Sequence, residues 1–153
     1  MELCNYPSLE ATRFYEIEAI QIPIVYNKYG DHDPDGILYV LKKDADRIRE
    51  GAIRNYSQTI PQPYEEVKPL VIRANVGEKI MICFSHSLNR SLSIHVQGLP
   101  YDVQTSDGSS VGFNRDSTTM HQITYTWYAA CEGVYLFHDM GDTRSSEEGT
   151  NIH

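Results

Sequence analysis

Three aspartates at alternate positions, Asp31, Asp33 and Asp35, followed at once by Gly36, form the D-x-D-x-D-G opening of a calcium-binding loop. Alternating carboxylates and a turn glycine suit a hard cation, which gathers oxygen ligands around a sharp bend. The position that should supply a bidentate glutamate is Lys42, and Pro34 stiffens the loop, so a solvated turn is the preferred reading over a calcium site. Cys4, Cys83 and Cys131 are an odd set with no CxxC spacing, and define neither a zinc knuckle nor a disulfide framework. Cys83, inside the apolar run from Ile80 to Phe84, reads as a buried small side chain. Ser109 and Ser110 sit in a glycine-containing stretch, but no Gly-x-Ser-x-Gly occurs, so a hydrolase has no support. His86 and His121 are expected at the surface, without a role.

The elements that must position these side chains are mostly strands. Eleven tyrosines against four phenylalanines and one tryptophan suit half-buried strands whose rings pack inward while their hydroxyls stay wet. A length of 153 residues fits one domain spanning 1–153, large enough to bury a core. A formal charge of −8 disfavours nucleic acid, which is bound by clustered Lys and Arg. No apolar run is long enough to span a membrane, and the first twenty residues are unlike a signal peptide.

Strand patterns run from Phe14 to Tyr26, with Pro23 marking an edge or a bend, and from Ile37 to Leu41. Between them lies a turn cluster from Gly30 to Gly36. The charged segment 43–54 lacks alternation and predicts one or two exposed helical turns outside the core. Pro61, Pro63 and Pro69 predict an extended connector. Five further strands are expected at Pro69–Ala74, Lys79–Phe84, Ser91–Gln97, Gln122–Tyr128 and Val134–His138, with a tight turn over Asn75–Glu78. Short strands at such spacing predict a sandwich or barrel.

The segment from Pro69 to Phe84 resembles the opening of a cupredoxin domain in multicopper oxidases, where a Val-Gly-Asp/Glu turn joins two strands. Ser93-Ile94-His95-Val96-Gln97-Gly98 is similar to that family's His-x-His-Gly strand, and Tyr135-Leu136-Phe137-His138-Asp139-Met140 to its second His-x-His. Gln122 to Trp127 resembles the strand preceding that motif, and Tyr26 to Pro34 a motif shared by ceruloplasmin-like and bacterial manganese-oxidase-like copper oxidases. The resemblance implies an all-β, Greek-key cupredoxin-like β-sandwich with the helical excursion near 43–54. It also implies that a final apolar strand would follow His153, so the chain is expected to lack its closing strand or to be part of a larger multidomain oxidase.

The same resemblance implies copper, with His95 matching a ligand of the type 2 copper and His138 a type 3 ligand. Alternate strand residues share a face, so a His-x-His can aim two imidazoles at neighbouring ions. Here Gln97 and Met140 stand where the second histidine of each pair belongs, and Asp139 stands where a His-Cys-His would place its cysteine. A carboxamide is a poor copper ligand and a thioether favours Cu(I). His95, His138 and Met140 are therefore either residual copper ligands, completed by another domain or chain, or packed and hydrogen-bonded side chains. The corresponding functions are a domain of an oxidase that oxidises a metal ion or small reductant as an assembly, and a copper-free structural module. In both, the implied partners are other cupredoxin domains or identical subunits, and the family's usual setting is extracytoplasmic.

Overall fold

The computed structural model describes residues 11–109 and 122–140. In chain order its strands are β1 (Ala11–Val25), β2 (His32–Leu41), β3 (Glu78–His86), β4 (His95–Val96), β5 (Gln122–Tyr128) and β6 (Phe137–His138). The helices are α1 (Ala45–Tyr56), entered through a 3₁₀ turn at Lys42–Asp44, and the short α2 (Val103–Ser106). A four-stranded sheet runs β2-β1-β3-β5, and a two-stranded sheet pairs β4 with β6.

The long β1 is shared between two partners. Its first part, Ala11 to Ala19, pairs parallel with β3, and Ile17 to Val25 pairs antiparallel with β2. Pro23 has no amide hydrogen to donate, and it lies beyond the β3 pairing, where the register with β2 slips between Ile22 and Ile24. Edge and bend thus coincide at this proline.

Strand alternation sends Ile17 and Ala19 to one face of β1 and Ile20, Ile22 and Ile24 to the other, and both faces are covered. The first face joins Tyr39, Ile82, Phe84, Ile94, Tyr125 and Trp127 in the core between the sheets. The second packs with Leu38 and Val40 against Ala45, Ile48 and Ala52 of α1. Coverage on both faces explains why the second half of β2, Ile37 to Leu41, is an unbroken apolar run instead of an alternating one. The expectation that 43–54 stands outside the core is therefore corrected: α1 is three turns long and closes a second core. Gly51 permits this packing, because a Cβ there would collide with the Tyr64 ring.

Other expectations also shift. The turn expected over Gly30–Gly36 is shorter, with the reversal at Tyr26–Asp31, Gly30 at φ 89°, and β2 already under way at His32. Asn75–Glu78 forms the expected turn, closed by Glu78 N–H donating to Asn75 C=O (3.1 Å), with Gly77 at φ 89°. Pro69–Ala74, expected as a strand, joins no ladder among the described residues. Leu70, Ile72 and Ala74 face the core, yet the N–H and C=O of Arg73 both meet the Tyr15 hydroxyl. This segment and residues 131–135 line a common cleft of about 640 Å³, and the strands expected at Ser91–Gln97 and Val134–His138 shrink to β4 and β6.

Candidate functional site

β4 and β6 set the geometry of the site. Their antiparallel register places His95 opposite His138, and the Gln97 N–H donates to the Leu136 carbonyl (2.9 Å), carrying the same register one step further. The two imidazole rings lie edge to face with centroids 5.7 Å apart.

His95 is held from its other side by the loop after α2. Its Nδ1 donates to the Asp107 carbonyl (2.8 Å), with Asp107 Oδ1 at 3.2 Å, and the Tyr101 hydroxyl donates to that same oxygen (3.1 Å). Burial, and then the Asp107 carboxylate, raise the Tyr101 hydroxyl above its ordinary value, so it remains a donor. The neighbouring Gly108 has φ 69°, and a Cβ at that position would run into the Ile94 backbone. Only a glycine lets the loop approach β4 closely enough to bring Asp107 to the ring. Asp102 caps α2 by accepting from the Gln104 N–H (2.9 Å), and Ser106 Oγ accepts from the Thr126 N–H (3.0 Å), fastening the loop to β5.

His138 is engaged at both nitrogens. A carbonyl can only accept, so the 3.0 Å contact with the Asp139 carbonyl puts the ring proton on Nδ1. The lone pair of the neutral ring is then on Nε2, where the Gln97 carboxamide N–H donates at 3.0 Å. Asp139, at the position where a copper-binding cysteine would be expected, points inward: its Oδ1 accepts from the Ser93 N–H (2.7 Å). Ser93 is fully buried, and its carbonyl accepts from the Tyr39 hydroxyl (2.6 Å). Burial, and secondarily Asp139, push the Tyr39 hydroxyl well above its usual value. Met140 is 41% exposed, and its N–H donates to Ser93 Oγ (3.0 Å).

His95 has the posture of a metal ligand, with Nδ1–H on a carbonyl and its lone pair on Nε2. His138 does not, since its lone pair is occupied. No three His, Cys, Asp or Glu side chains converge to hold a metal among the described residues. The donor set therefore does not fit a copper centre built by these residues alone.

The three aspartates of the calcium-like motif are engaged separately. Asp31 Oδ2 accepts from Asn27 Nδ2 (2.6 Å), Asp33 Oδ1 from the Asp35 N–H (3.0 Å), and Asp35 Oδ1 from Gln21 Nε2 (3.1 Å). His86, expected at the surface, is buried: β3 alternation puts it on the same face as Ile82 and Phe84, and its Nδ1 accepts from the Leu88 N–H (3.2 Å). Cys83 lies on the opposite face of β3, half-buried and free, with Gln122 donating to its sulfur. Cys131 is disulfide-bonded, which its spacing did not reveal. Cys4, His121 and Ser110 lie outside the described residues.

A crystal structure of a multicopper oxidase from Pseudomonas thermotolerans matches 93% of this chain with a TM-score of 0.61 at 15% sequence identity. The fold is cupredoxin-like. The chain spans 28% of the length of that oxidase, so the match is to one part of a larger protein. No family model matches the sequence, and no curated protein does. Among the described residues, no helix of this cupredoxin-like chain is long and apolar enough to cross a membrane.

Proposed function

We propose that this chain is a cupredoxin-like framework module of a multidomain oxidase, packing against other cupredoxin-like domains or identical subunits. Copper-dependent oxidation belongs to residues elsewhere in such an assembly. The observation that supports this reading is the engagement of both His138 nitrogens, by the Asp139 carbonyl and the Gln97 carboxamide. The posture of His95 favours a second reading, in which its Nε2 is a single donor to a copper site completed by another domain. Copper(II) titration of this chain, followed by electron paramagnetic resonance, tests the framework reading. The expected result is no stoichiometric signal with nitrogen splitting. One equivalent of bound Cu(II), lost in His95→Ala, would overturn it.

A further inference from the structure

We propose that Gln97 closes this site against metal ions, acting as a plug and not merely as a missing ligand. The inference rests on the framework reading above and gives it a cause. A metal held by two imidazoles needs a nitrogen of each at about 2.0–2.1 Å. Rings with centroids 5.7 Å apart are close enough to share one ion, so distance does not exclude a shared site. Direction and occupancy do. His138 turns Nδ1 to the Asp139 carbonyl, which leaves only Nε2 for a metal, and the Gln97 N–H is already there at 3.0 Å.

Gln97 can reach this nitrogen because it stands two residues from His95 along an extended backbone, so the two side chains share a face. Its own N–H bond to the Leu136 carbonyl fixes it beside β6. An imidazole at position 97 would project from the same face, release the His138 lone pair and add a third nitrogen. One substitution would thereby remove the plug and supply a ligand of the type that divalent copper prefers.

The test compares the parent chain, Gln97→His, and Gln97→His combined with His138→Ala. Each is titrated with Cu(II) and read by electron paramagnetic resonance, with circular dichroism to verify folding. Gln97→His is expected to bind one equivalent about a hundredfold more tightly than the parent, roughly tenfold for the released lone pair and tenfold for the added ligand. Adding His138→Ala is expected to cut the gain to about tenfold, the share of the added ligand. ¹⁵N NMR of the parent is expected to show His138 protonated at Nδ1. A folded Gln97→His that binds no better than the parent, or a gain that His138→Ala leaves undiminished, overturns the closure. So does a parent His138 protonated at Nε2, and that measurement decides alone if the variant does not fold. A parent chain that already binds one equivalent refutes both the closure and the framework reading. A metal-free parent with an unresponsive variant refutes the closure only.

Discussion

Truncating Ile48 to alanine tests whether α1 belongs to the core. Ile48 is 8% exposed and packs with Ile20, Ile22, Ile24, Leu38 and Val40, whereas Ile53 on the same helix is 49% exposed. Removing three carbons from a buried site costs about 2.4 kcal/mol at roughly 0.8 kcal/mol per methylene. A cavity contribution adds to this in a closed core, and measured Ile→Ala losses run to about 5 kcal/mol. Ile48 also lines an open cleft of about 820 Å³ beside Tyr39, Arg47 and Leu70, so the gap it leaves can fill with water or side chains. The expected loss is therefore about 2–3 kcal/mol, at the low end of that range. Ile53→Ala is the internal control. It makes the same chemical change on the same helix, so the differing helix propensities of Ile and Ala cancel between the variants. Its expected cost is below about 1 kcal/mol. Urea unfolding should be followed by far-ultraviolet circular dichroism, which reports α1, and by fluorescence of Trp127, which is buried in the other core. Coincident transitions with an unchanged slope license the comparison. Equal losses for the two variants would refute the placement of α1 against the sheet.

Tyr39→Phe keeps the ring contact with Phe84 but leaves the buried Ser93 carbonyl without the hydroxyl at 2.6 Å, and a loss of about 1–3 kcal/mol is expected in the same urea assay. Acid stability should track Glu78, whose carboxyl is lowered to about 2 by the hydrogen bond from Arg13, then by the Asn75 N–H. A carboxylate whose folded value is depressed contributes stability above its ordinary value near 4.5, and that contribution disappears as pH falls from there towards 2. Glu78→Gln should flatten the melting temperature across this window, and an unchanged slope would contradict the assignment.

How far the structure was legible in the sequence depended on whether an element is defined by faces or by partners. β5 occupies Gln122–Tyr128 as the alternation predicts, and β3 exceeds its expected bounds by a residue or two. Pro69–Ala74 alternates equally well, but alternation fixes which side chains turn inward and not where the backbone finds its hydrogen bonds. The helix was visible while its burial was not, because charge dominates 43–54. Its signal was the set Ala45, Ile48 and Ala52 at helical spacing, together with the unbroken run of β2, which requires cover on both faces. The resemblance assigned His95 and His138 to two separate motifs, and the register of β4 with β6 sets them opposite each other. Asp107 and Tyr101 were missed because they arrive from a loop, although an aspartate followed by Gly108 marks a close backbone approach. The role of Gln97 was beyond sequence reasoning, which records an absent ligand but not the group that fills its place.

The division of β1 between two partners also orders the cost of assembling this molecule. Its pairing with β2 brings together residues such as Gln21 and Asp35, 14 positions apart, while its pairing with β3 joins Arg13 to Glu78 across 65 positions. Loop-closure entropy favours the shorter connection by about 1.4 kcal/mol, roughly a tenfold advantage in the chance of meeting. The hairpin and the helix that follows it thus form a local unit with a small core of its own. β3 can then add to an edge that already exists, in register along the first half of β1. The imidazole pair belongs to the other sheet, where the separation of His95 from His138 along the chain lies between those two, so by the same measure its closure costs more than the hairpin's and less than that of β1 with β3.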